Sequence, residues 1–118
     1  MNHAEVESLS LQELDRIAAL HSGWHEISEL LWVHEWYEGH YTNPPEFSHD
    51  MLHAWLLAEY ARTNGFSVTV ECDPLDDKYA MWQAHIRDDC RRGEDRNELA
   101  PIAITRAFVL AMTDEEGE

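Results

Sequence analysis

The stretch Phe66-Ser67-Val68-Thr69-Val70-Glu71-Cys72 decides the fold class. Apolar and polar residues alternate through it without a break, the pattern of a strand with one face buried, so Phe66, Val68, Val70 and Cys72 are expected to point inward. Asp73-Pro74-Leu75-Asp76-Asp77 has the composition of a turn. The residues from Tyr79 to Arg87 then alternate again, with Ala80, Trp82, Ala84 and Ile86 on the inner face. Two such runs joined by a short polar turn predict an antiparallel hairpin. The charged residues from Asp88 to Glu98, including Arg91-Arg92-Gly93, read as a surface loop.

Helices flank the hairpin on both sides. Upstream, Ser48 is placed to cap a helix with Phe47 and Leu52 as its hydrophobic staple; Met51, Leu52, Trp55, Leu56 and Ala58 then face the core, and Asn64-Gly65 ends it. Farther upstream, Ser10-Leu11-Gln12-Glu13 is a capping box that opens a helix over about 11–21, closed by Ser22-Gly23. Downstream, Pro101 opens a last helix through about Met112, apolar on nearly every face and so expected to pack centrally. Between the first two helices, His25 to Tyr41 fits a helix or a strand; its two Trp and two Tyr residues favour a short strand around Leu31 to Trp36, before Asn43-Pro44-Pro45 breaks any regular element. The expectation is an α+β fold: an antiparallel sheet of about three strands packed with three helices, one domain over 1–118 with frayed ends at about 1–8 and 113–118.

Charge narrows the function classes. The chain carries 24 acidic and 8 basic side chains in 118 residues, a formal charge of -16. Its summed field repels phosphate, which argues against direct contact with nucleic acid or an anionic membrane. No apolar run reaches the roughly 18 residues that cross a bilayer, and the expected compartment is the cytoplasm, where Cys72 and Cys90 stay free thiols. The negative charge is concentrated in residues 1–61, which hold eleven carboxylates and one basic side chain, Arg16. Seven of the eight histidines also lie there.

The succession Leu14-Asp15-Arg16, Gly23-Trp24, Pro44-Pro45-Glu46-Phe47-Ser48-His49-Asp50, Ala54-Trp55 and Ala100-Pro101-Ile102-Ala103-Ile104 resembles the phage ABA sandwich domain family over nearly the whole chain. The segment from Glu26 to Thr42 is longer and richer in His than that pattern, and the chain is more acidic. The resemblance implies a small protein of a bacteriophage or prophage acting in the cytoplasm of its bacterial host, without an established reaction. Its motifs are caps, turns and core aromatics, so no catalytic residue is carried over.

Three constellations remain. Aromatic anchors and carboxylates mix in one segment: Glu26, Glu29, Trp32, Glu35, Trp36, Tyr37, Glu38 and Tyr41 suit docking on a basic host protein, with imitation of phosphate charge as the means and a homodimer as a further option. His49 and His53 lie four apart, a spacing that on one helix face can chelate zinc in a metal-binding module or hydrolase, although two ligands leave the site incomplete. Trp24, Trp55 and Trp82 can line a small-molecule pocket. No glycine-rich phosphate cradle or nucleophile elbow occurs, and the adjacent carboxylate pairs match what a solvated acidic surface contains. The expectation is therefore a non-enzymatic binding protein with no cofactor.

Overall fold

The computed structural model describes residues 1–28, 31–35, 39, 41, 45–74 and 80–114. Among them the chain forms α1 (His3–Ser8), α2 (Leu11–Leu20), β1 (Trp24–Ser28), β2 (Leu31–His34), α3 (Met51–Thr63), β3 (Ser67–Pro74), β4 (Ala80–Arg87), β5 (Arg92–Asn97) and α4 (Ala100–Met112). The class is α+β as expected, with four helices and two antiparallel sheets, β1-β2 and β3-β4-β5.

The hairpin that decides the class pairs Val68 with Ile86, Val70 with Ala84 and Cys72 with Trp82. Ala84 and Ile86 are fully buried, as their alternation demands, whereas burial fades along β3 from Phe66 through Val68 and Val70 to an exposed Cys72. Cys72 is thus not a core residue: α4 lies on β4 and β5, and β3 is the edge strand beyond β4. Cys72 and Cys90 are both free thiols.

The stretch from 88 to 98 is not a loop throughout, because Arg92–Asn97 is the third strand of this sheet, paired to β4 from Trp82↔Asn97 to Arg87↔Arg92. The Asp88 carboxylate accepts hydrogen bonds from the backbone N–H of Cys90 (2.8 Å) and Arg91 (2.6 Å) and so builds the connecting turn. Those two N–H groups hold the Asp88 pKa below its ordinary value. Along β5 burial alternates strictly, but the inward positions hold Gly93 and Asp95. Gly93 is dictated by α4: a Cβ there would sit 2.1 Å from the main-chain oxygen of Ala107 and 2.5 Å from the nitrogen of Ala111. The helix lies on the strand closer than any side chain permits.

α4 is the centre of the molecule, packed on β4 and β5 and touched by α1, α2 and α3. Ten of its residues are buried, including Thr105, whose hydroxyl donates to the Pro101 carbonyl at 2.7 Å. α2 begins at the predicted capping box, with Ser10 Oγ accepting from Glu13 N and Glu13 Oε1 from Ser10 N.

Of residues 1–8, expected to fray, His3–Ser8 form α1. Asn2 and Glu5 form a second capping box, Val6 is buried, and α1 packs on α4. At the other end Thr113 N donates to Val109 O, and Asp114 Oδ2 accepts from Arg92 N at 3.2 Å; the rest of that expectation, 115–118, lies outside the described residues. Nor does Ser48 cap α3. Asp50 does, accepting from Leu52 N at 2.8 Å. Ser48 is buried and donates through both its N–H and its hydroxyl to Asp15 of α2, each at 2.9 Å, which moors the turn before α3 to the first half of the chain.

Candidate functional site

The helix α3 turns its sides differently from the sequence expectation. Ala54, Leu57, Ala58 and Ala61 face the core. Met51 (41% exposed), Leu52 (78%), Trp55 (47%) and Leu56 (36%) face solvent, so the four large residues expected to be core form an outward apolar stripe instead. The cause is spatial: α4 already fills the centre, and an outer helix buries one side only. Small residues then suit the inner side, where α3 lies against α4.

The short sheet borders this stripe. Strand β1 pairs with β2 from Trp24↔His34 to Ser28↔Leu31, and the backbone of Trp32 exchanges two hydrogen bonds with that of Tyr41. Trp24 is buried, with its ring edge-on to His34 (4.9 Å) and to Tyr41 (5.2 Å). His34 is a structural histidine, since its Nε2–H donates to the Ser22 carbonyl at 2.8 Å. Trp24, His34, Phe47, Leu56 and Tyr60 share the wall of a cavity of about 10 Å³, which joins the sheet to α3 and holds no small molecule. The Tyr60 hydroxyl has its pKa raised by burial and by the adjoining Glu35 carboxylate.

The residues singled out from sequence therefore divide. Glu26, Glu35 and Tyr41 are exposed; Glu26 accepts from Arg16 at 3.2 Å, a surface pair of small energetic weight. Trp32 is buried and packs in the core, so it is no anchor. Glu29, Trp36, Tyr37 and Glu38 lie outside the described residues. His49 precedes α3 and only His53 is on it, so the two do not share a helix face. His49 instead faces Ser48 Oγ at 3.0 Å and Asp15 Oδ2 at 3.8 Å. Of the three tryptophans proposed for a pocket, Trp24 lines the small cavity, Trp55 lies on the outward stripe and Trp82 is half-buried on β4.

The fold now has a counterpart. The chain is similar to a phage protein from Bacillus cereus ATCC 14579, known from a crystal structure. The TM-score is 0.66 at 23% identity, over 92% of each chain. No family model matches the chain, and no curated protein matches it. The likeness establishes the fold. No described helix is long and apolar enough to cross a membrane.

One group escaped the sequence reading altogether. His3 and Glu7 of α1 and Asp95 of β5 bring potential ligand atoms within 4.8 Å of one another. The Asn2-x-x-Glu5 capping box was the available signal, in a stretch expected to fray; Asp95 lay in a stretch expected to be a loop.

Proposed function

We propose that the chain is a non-enzymatic accessory protein of phage or prophage origin that docks on a basic, nucleic-acid-binding host protein in the bacterial cytoplasm. The observation that carries this reading is the outward face of α3, where Met51, Leu52, Trp55 and Leu56 are exposed together on a chain of charge -16. Isolated exposed apolar residues need no explanation, but four on adjoining turns, one of them Trp, make the kind of patch that a partner covers. Exposed carboxylates of Glu26, Glu35 and Glu46 and the partly exposed Glu59 supply negative charge on the neighbouring elements.

Charge selects the partner class. A second copy of this chain brings another -16 to the same surface, whereas a basic protein brings attraction that steers encounter. Imitation of phosphate charge is the finer form of the same reading, with the net charge giving rate and the apolar stripe giving specificity. Phage origin is supported by the fold likeness to the Bacillus cereus phage protein.

The test is affinity capture of host proteins on wild type and on Trp55→Ala, each at low and high salt. The expected result is a basic protein retained by wild type at low salt, released at high salt by screening, and at least ten-fold depleted on Trp55→Ala. Equal capture by the two chains, or a stable dimer of the protein alone by light scattering, would overturn the reading.

A further inference from the structure

Between α1 and β5 lies a cavity of about 290 Å³ whose wall includes His3, Glu7, His85, Glu94 and Asp95. It is built by elements from opposite ends of the chain. His3 and Glu7 stand one turn apart on α1, and Asp95 rises from the inward face of β5.

The hydrogen bonding of His3 places one ring proton. His3 Nε2 lies 2.8 Å from the Glu94 carbonyl oxygen, which only accepts, so Nε2 carries the proton and donates. Nδ1 faces Glu7 Oε1, 3.4 Å away. That pair needs a positive charge, which a proton on Nδ1 or a metal ion in its place supplies. A ligating imidazole commonly donates its other N–H to a main-chain carbonyl, the arrangement found here.

Asp95 supplies the independent observation. Its side chain is 2% exposed, it lines the cavity, and its Oδ2 accepts no hydrogen bond. The Arg106 guanidinium is 3.9 Å from Oδ2, an ion-pair distance too long for a hydrogen bond, and Arg106 Nε is itself buried without one. The other carboxylate oxygen, Oδ1, lies 4.0 Å from His3 Nε2. The Arg96 backbone N–H donates to the carboxylate, but a buried oxygen left without a hydrogen bond is costly unless something else completes it.

We infer that His3, Glu7 and Asp95 form a site for a divalent transition-metal ion. One imidazole nitrogen and two carboxylates are the ligand set of zinc or manganese, and a soft thiolate site is excluded by the chemistry of the donors. The ligand atoms must draw in from 4.8 Å to about the 3.4 Å edge of a tetrahedron with 2.0–2.1 Å bonds. His3 and Glu7 are both more than half exposed and free to make that movement. The fourth position opens on the cavity, where His85 Nδ1 and Glu94 Oε2 face each other at 3.1 Å. Bound there, the ion ties α1 to β5. A six-residue helix gains much from such a tie, because it is too short to hold on its own hydrogen bonds.

Titration calorimetry with ZnCl2 on chelator-treated, full-length protein at pH 7 tests the inference, with the thermal midpoint as a second readout. One Zn2+ per chain and a raised midpoint are expected for wild type. His3→Gln and Glu7→Gln alter exposed side chains, keep the fold, and are expected to weaken binding at least ten-fold each. His53→Gln is expected to bind as wild type does. Absence of one-to-one binding by wild type, or full affinity in His3→Gln, overturns the site. Neither outcome touches the α3 docking face, which lies on a different element.

Discussion

The helices α3 and α4 are each 13 residues long, with nine and ten apolar residues. α4 buries ten residues and α3 four. Composition would send both to the centre, yet a core of this size has room for one helix touched on all sides. α4 takes that place because it lies on two strands and meets the three other helices. The remaining apolar helix lies outside with one face uncovered. A helix apolar all round is thus a statement about its surroundings, and on α3 the chain itself supplies only half of them.

Pushing α4 off its sheet is expected to cost the most stability. Gly93→Val places a branched side chain where even a Cβ would meet Ala107 O at 2.1 Å. The obstacle is helix backbone, which has no rotamer to escape into, so the cost exceeds the usual 1–3 kcal/mol of overpacking. A loss of about 3 kcal/mol or more is expected, a large part of a small domain's stability. Urea unfolding gives the number; a loss below about 1 kcal/mol would mean that α4 does not pack as described.

The same close approach explains what was legible in the sequence. The 66–87 hairpin, the 11–20 helix and the all-apolar last helix announce themselves because hydrophobic period and capping chemistry agree. β5 does not, since its inward positions went to Gly93, which makes room for α4, and to Asp95, which lines a cavity. A strand whose buried face carries no apolar side chain has no hydrophobic period to read. α1 was hidden by shortness, although Asn2 and Glu5 spell a capping box. The sides of α3 were misassigned because the staple reading of Phe47 and Leu52 drew Leu52 inward, while Ser48, the supposed cap, was engaged by Asp15 33 residues earlier. The candidate sites suffered most: the α3 stripe is local, but its outward direction is set by α4, and only tertiary structure brings His3 and Glu7 to Asp95.

A smaller effect concerns how the outer helix is moored. Asp15 is buried beneath Ser48, and burial raises its pKa above the ordinary carboxyl value, more than the Ser48 hydrogen bonds and His49 lower it. A raised folded pKa means that the folded chain binds the proton more tightly than the unfolded one. The corresponding stability is full below the unfolded value of 3.8 and is lost as pH rises through the folded pKa. Asp15→Asn keeps an acceptor for Ser48 N and offers a donor to Ser48 Oγ, without the buried charge. The expected outcome is a variant at least as stable as wild type at pH 7, with a flatter dependence of unfolding free energy on pH from about 4 upward. Unchanged slope in the variant would show that Asp15 does not titrate in this environment.

The smallest expected change in stability is the most informative about the two helices. Leu52 is 78% exposed, so Leu52→Ser removes little buried area and leaves the Asp50 cap, which uses Leu52 only through its backbone N–H. Substitutions of this kind stay within about 0.5 kcal/mol of wild type. On the outer face of α3 that near-neutrality must come with weaker capture of a basic partner, because the removed surface is what the partner would bury. A stability loss above about 1 kcal/mol would mean that Leu52 is covered within the molecule, making α3 an inner helix like α4. Unchanged stability with unchanged capture would leave the apolar stripe uncovered by any partner. Neutral stability with capture lost is the combination that separates a helix completed by its own chain from one completed by another.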